Sequence, residues 1–151
     1  MYRINHIGST SVPGLIAKPT IDILLEIPTD TDILSLTAAL ISAGYICNTQ
    51  PNNPAPHLMF MKGYTPQGFR GQAVHLHVRF PGDWNELYFR DYLRSHPETA
   101  KSYGKLKQNL QLRYEHDRDA YTEAKTDFIQ EATRLARKEM RNKYTTPSTT
   151  L

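Results

Sequence analysis

Apolar positions change period along this chain, and the changes mark its elements. From Thr20 to Ile27 the residues TIDILLEI form a near-continuous β-branched and aliphatic run, the pattern of a central strand covered on both faces. Asp22 is the odd residue in it. Ile33, Leu36, Leu40 and Ala43 then follow helical spacing behind a cap from Thr29, Asp30 or Asp32, and Gly44 ends the helix. A short strand at Tyr45 to Asn48, a Pro/Asn loop at 49–56, and strands at His57 to Tyr64 and Ala73 to Phe80 come next. The turn-rich TPQGFRGQ between the last two predicts a hairpin. Alternation in the second strand sets Val74, Leu76, Val78 and Phe80 on one face and His75, His77 and Arg79 on the other.

Past Pro81-Gly82 the period becomes helical. Asp83 is placed to cap a first helix, Pro97 preceded by Ser95 or His96 suits the start of a second, and Asp117 or Asp119 opens a third. In the third, Tyr121, Ala124, Phe128, Ala132 and Leu135 recur on one face. Residues 2–7 read as a short extended piece running into Gly8, and STSVPGLIAK as a loop or short helix broken by Pro13 and Gly14. A strand-rich half followed by a helical half predicts an α+β arrangement, or a small α/β one, with a mixed sheet covered by helices. One domain over 1–142 is expected, sheet-rich over 1–82 and helical over 83–142, with 143–151 as a flexible tail.

Composition narrows the class. With 39% hydrophobic and 22% charged residues the chain sits near globular averages, which excludes disordered, collagenous and coiled-coil readings. The single Cys47 excludes a disulfide framework and a cysteine-based zinc site, and fits a reducing compartment. No apolar run approaches the ~18 residues of a membrane span, so a soluble cytoplasmic protein without membrane partners is expected. The net charge of +3 is local: residues 134–143, RLARKEMRNK, carry five basic groups against one acidic, leaving the rest of the chain close to neutral. A basic helix end complements the helix dipole, whereas nucleic-acid binding calls for cations spread over a face, so nucleic acid is not the expected partner.

Three groups of residues could carry chemistry. Gly8, Ser9, Thr10 and Ser11 follow a strand and precede a possible helix, where backbone amides and hydroxyls suit a phosphate, although the same residues make an ordinary Ser/Thr turn. The GKS ending of a Walker loop is absent. Asp22 in an apolar strand needs a partner: a metal, a cation such as Lys18, or hydrogen bonds from the Gly8-Ser9 backbone. Glu26 on the same face is about 13 Å away, too far to share a metal with it, and the intervening position is Leu24. His75 and His77, at i and i+2 of a strand, stand about 6.6 Å apart and can chelate one ion, completing a two-His, one-carboxylate set with Asp22. A solvated sheet face explains the same pattern, and Arg79 beside them speaks equally for an anion. In the helical half Arg90 and Arg94 are one turn apart, and Tyr103/Lys107 and Tyr121/Lys125 repeat one spacing on two helices, as packed helices with snorkelling lysines also do.

The segments HIGSTSVPGLIAKPTIDILLEI (6–27) and LYFRDYLRSHPETAKSYGKLKQNLQLRYEHDRDAYTEAKTDFI (87–129), with HLHV at 75–78, resemble the GrpB family over nearly the whole chain. That family is grouped with the nucleotidyltransferase superfamily, so the resemblance implies a mixed nucleotidyltransferase-like sheet, with Gly8-Ser9 as the phosphate turn and Asp22 as the first metal-binding carboxylate. Leu24 falls where the superfamily has its second carboxylate, and His75 and His77 stand on the strand that would bring the third. Those departures weigh against two-magnesium nucleotidyl transfer. Similar domains are fused to dephospho-CoA kinases, which implies a nucleotide or CoA-type ligand. Family members carry a further, largely helical stretch before this first strand.

The expectations that follow are a nucleotide or other phosphorylated small molecule as ligand and a divalent metal, Mg, Mn or Zn, at Asp22, His75 and His77, with Asp22 and His77 as catalytic candidates. An enzyme of the nucleotidyltransferase type, a metal-dependent enzyme on this set and a noncatalytic binding module all remain open. Gly8, Ser9, Thr10, Ser11 and Lys18 would line the ligand, and Arg90, Arg94, Lys107 and Lys125 would converge on it as an anion-binding wall. Apolar surface left bare on the sheet or along the 121–135 stripe would favour a homodimer.

Overall fold

The structure, a computed structural model, describes residues 3–145. Five strands form one mixed sheet in the order β1 (Arg3–Ile7), β2 (Thr20–Glu26), β5 (Gly68–Arg79), β4 (Leu58–Thr65) and β3 (Ile46–Thr49). Among the described residues only the β2–β5 pair is parallel, and every other pairing is antiparallel. Helix α1 (Ile33–Ser42) lies between β2 and β3 in sequence, and α2 (Asn85–Ser95), α3 (Pro97–Arg113) and α4 (Arg118–Glu139) follow the sheet. The architecture is α+β, as the order of periods predicts.

Each sheet face has its own partner. Ile23, Leu25 and Ile27 of β2 and its extension, Leu76 and Val78 of β5 and Phe60 of β4 pack with Ile33, Leu36 and Leu40 of α1. The opposite face is covered at the β1–β2 side, where Ile7 and Leu24 meet Leu87 of α2. On that same face Glu26 is fully buried and accepts from Arg3 Nε (2.6 Å), Arg3 Nη2 (2.7 Å) and the Gly82 amide (3.0 Å). The three C-terminal helices close on one another through Leu93, Tyr103 and Phe128 and through Tyr88, Tyr92, Ala132 and Ala136. The 121–135 stripe is therefore covered by α2 and α3 rather than bare. Exposed apolar side chains lie elsewhere, among them Ile4, Ile46 and Leu112.

Asp32 caps α1 through the Leu34 and Ser35 amides, Pro97 opens α3 and Asp117 caps α4 through the Ala120 amide, as expected. Asp83 does not cap α2: Trp84 holds that position without a side-chain cap, because Asp83 accepts instead from Tyr88 and Arg137. β5 begins at Gly68 rather than Ala73, so the hairpin turn is far tighter than the composition of the loop suggests. Lys143 and Tyr144, assigned to the tail, are part of the fold: Lys143 binds Asp91 (2.8 Å), and Tyr144 is held by Arg90, Asp91 and Tyr88. Residues 146–151 of that tail lie outside the described residues. Among the described residues no helix is long and apolar enough to cross a membrane.

Candidate functional site

Parallel pairing of β2 with β5 sets Asp22 opposite His75 and Leu24 opposite His77, all on the face that the helical half covers only in part. Asp22 Oδ1 lies 3.4 Å from His75 Nδ1 and 3.3 Å from His77 Nε2, and one ligand atom from each residue falls within 4.8 Å of the others. Donors bound to a single tetrahedral ion at about 2.1 Å stand about 3.4 Å apart, so both Asp22 distances have the length that a shared ion requires. Two imidazoles and one carboxylate suit Zn, Mn or Fe better than Mg, which prefers an all-oxygen shell. The three side chains are about a quarter exposed, leaving one side of the set open to a ligand.

The surroundings orient these groups. His75 Nε2 is 2.7 Å from Tyr64 Oη, which fixes the ring so that Nδ1 faces Asp22, an outer partner of the kind that metal-binding histidines use. Sequence reasoning missed Tyr64, since only the hairpin's register irregularity after Lys62 brings it beside His75. Behind His77, Arg79 pairs with Glu86 at 2.8 Å. Burial alone would raise the Glu86 carboxyl, yet the Arg79 bond and charge outweigh it and hold it below the usual range. Leu24 is fully buried in the Ile7–Leu87 cluster, so no second carboxylate stands where two-metal chemistry would need it.

The Gly8–Ser11 turn packs directly on Asp22. Gly8 has φ +73°, and a Cβ there would meet Asp22 Oδ2 at 2.7 Å, so both the conformation and the contact demand glycine. Three of the four turn residues are otherwise engaged or lack a side chain: Ser11 Oγ donates to the Gly8 carbonyl, and Thr10 Oγ1 donates to that of Thr20. Ser9 points toward α3, where Lys107 Nζ donates to its Oγ at 2.8 Å and also to the Ile16 carbonyl at 2.8 Å. Burial, reinforced by Lys125, lowers Lys107 to about 8. Lys125 is lowered too, first by burial and then by the charges of Lys18 and Arg118, with Asp22 opposing them. Lys18 and Arg118 thus lie within electrostatic reach of Lys125, and Lys125 within reach of the Asp22 carboxylate.

The expected four-residue wall does not assemble. Arg90 is buried and spent on Asn5, the His6 carbonyl, Asp91 and Tyr144, where it ties β1 to the helical half. Arg94 Nε donates to the Ser11 carbonyl (2.8 Å) and lines a groove of about 580 Å³ with Val12, Leu15 and Ala100. Neither that groove nor a second cavity of about 470 Å³ beside Tyr64 is lined by Asp22, His75 or His77. Of the four, Arg94 and Lys107 reach the Gly8–Ser11 turn, at the Ser11 carbonyl and Ser9 Oγ, and Lys125 lies within electrostatic reach of Asp22.

Comparison with known proteins agrees with this architecture. The family model for GrpB protein matches residues 1–135. A UPF0157 protein of Pseudomonas aeruginosa is 43% identical over 83% of this chain and 52% of its own length, and the glutamate-rich protein GrpB of Alkalihalophilus pseudofirmus is 34% identical over 85% and 75%. A dephospho-CoA kinase of Mycolicibacterium paratuberculosis is 25% identical over 89% of this chain and 38% of its own. The chain spans about half the Pseudomonas protein and 39% of a similar Bacillus subtilis one. The crystal structure of GrpB from Enterococcus faecalis superposes with a TM-score of 0.73 at 31% identity, covering 91% of this chain and 81% of that one. On sequence and on fold alike, this chain belongs to the GrpB family.

Proposed function

We propose that this GrpB-family chain is a metal-dependent protein that binds a phosphorylated small molecule of the nucleotide class, with the metal held by Asp22, His75 and His77. The observation that carries this reading is the distance set around Asp22, two imidazole nitrogens at 3.3 and 3.4 Å from one carboxylate oxygen, with a quarter of each side chain open to solvent. Lys18, Lys125 and Arg118 supply the positive field that an anionic ligand needs. Met59 and Met61 pair with His77 and His75 and extend the same face as a half-buried apolar floor for the rest of the ligand. A bound ion would supply a Lewis acid for a phosphoryl oxygen. Leu24 turns the reading away from two-magnesium nucleotidyl transfer, and the likeness to part of a dephospho-CoA kinase is in keeping with a nucleotide-type ligand.

Titration calorimetry on metal-stripped protein tests this. One equivalent of Zn²⁺ or Mn²⁺ should bind to the wild type and not to Asp22→Asn or His77→Ala, and ADP should bind more tightly to the metal-loaded protein. Absence of stoichiometric metal binding at micromolar concentration would overturn the reading.

A further inference from the structure

Ser9 and Lys107 form a close pair that stands apart from the Asp22, His75 and His77 set. β1 ends at Ile7, Gly8 turns at positive φ, and Ser9 opens the short 3-10 turn Ser9–Ser11, so a hydroxyl is presented at a sharp strand-to-helix corner. Lys107 Nζ stands 2.8 Å from Ser9 Oγ and is held there by the Ile16 carbonyl at 2.8 Å and by the Tyr103 ring, whose centroid is 4.9 Å away. A neutral amine satisfies both partners at once: it donates to Ile16, which can only accept, and accepts from the Ser9 hydroxyl. No other hydrogen bond to Ser9 Oγ is present among the described residues.

We propose that Ser9 and Lys107 form a nucleophile–base pair that accepts acyl groups from small esters or thioesters. Ser9 Oγ attacks the carbonyl carbon while its proton passes to Lys107 Nζ, and the bond to the alkoxide or thiolate breaks as that leaving group takes the proton from Lys107. Water then repeats the sequence on acyl-Ser9 and releases the carboxylic acid. Serine–lysine pairs carry out this chemistry elsewhere, and activation of a nucleophile by an adjacent base is its general form. Lys107 is suited to the role because burial and Lys125 bring it to about 8, where a substantial fraction is neutral near physiological pH. The titratable groups around it are Tyr103 on its own helix, raised to about 12 by burial and by Tyr121, Tyr121 and Lys125 on α4, and Lys18 beside Lys125. None of the first three is an acid that would restore the lysine's charge.

Diisopropyl fluorophosphate reports on such a pair without a known substrate, since the serine oxygen bonds to phosphorus, fluoride leaves and the proton goes to the lysine. Full-length protein treated in EDTA should gain one adduct, mapped by peptide mass to Ser9, at a rate rising about fivefold from pH 7 to pH 8 as Lys107 loses its proton. Lys107→Met and Lys107→Arg should both label about 100-fold more slowly, the second because a guanidinium stays protonated. Ser9→Ala should lose the adduct, with thermal melts confirming that the variants fold. No adduct on Ser9 up to pH 9, or equal labelling of folded Lys107→Met, would overturn the proposal. EDTA keeps the outcome independent of the metal-dependent reading.

Discussion

Asp22 and Glu26 stand on one face of the same strand, four residues apart, in opposite surroundings. Glu26 is fully buried and closed by Arg3 and the Gly82 amide, so its charge is matched and no room is left for a ligand. Asp22 is about a quarter open to solvent, faces two imidazoles rather than a guanidinium, and lies within reach of the Lys125 charge. A carboxylate in an apolar strand needs a partner in either case; what distinguishes a structural acid from a binding one is whether the fold itself completes the partnership.

Breaking the Glu26 end should have the largest effect. Glu26→Gln removes the buried carboxylate that Arg3 Nε and Nη2 bind and should lower stability by about 3 kcal/mol, the low end for a broken buried pair because Arg3 is partly solvated; urea unfolding measures it. Asp22→Asn should behave in the reverse way, costing at most about 1 kcal/mol of stability, as partly solvated pairs do, while Zn²⁺ affinity falls by ~100-fold or more. Equal stability losses at both positions would erase the contrast. Tyr64→Phe should sharpen it, weakening Zn²⁺ binding about tenfold through the His75 ring with little change in melting temperature.

The smallest effect is a pH dependence. Lys107 is lowered to about 8 in the folded state from 10.5, so below pH 8 it is charged in both states and folding bears the burial of that charge. Between pH 8 and about 10 the folded chain has released this proton while the unfolded chain keeps it, so stability should rise with pH. Tyr103, raised to about 12, opposes the trend above pH 10, where the unfolded chain loses a proton that the folded one retains. Lys107→Met should flatten the rise in urea midpoints between pH 8 and 10 and be more stable than wild type at pH 7.

Much of this was legible in the sequence where one element carried the signal. The alternation in β5 placed His75 and His77 together, and the charge inside TIDILLEI exposed Asp22. What could not be read were cross-chain assignments, because helical spacing gives the face of a residue and not what that face meets. Arg90 and Arg94 share a helix face in keeping with an anion wall, yet their hydrogen bonds go to β1 and to the Ser11 carbonyl. Tyr64 is hidden in the sequence for a related reason: a register irregularity resets which side a strand residue takes. Asp83 looked like a cap because composition cannot show that Arg137, 54 residues later, claims it first.

Arg3 does more than neutralise Glu26: its Nη1 also donates to the Tyr144 carbonyl at 3.3 Å, so the two ends of the described chain are held side by side. A domain whose entrance and exit coincide is portable. It can be inserted into, or appended to, a larger polypeptide, and circular permutation through a short linker from 144 to 3 should leave every strand pairing in place.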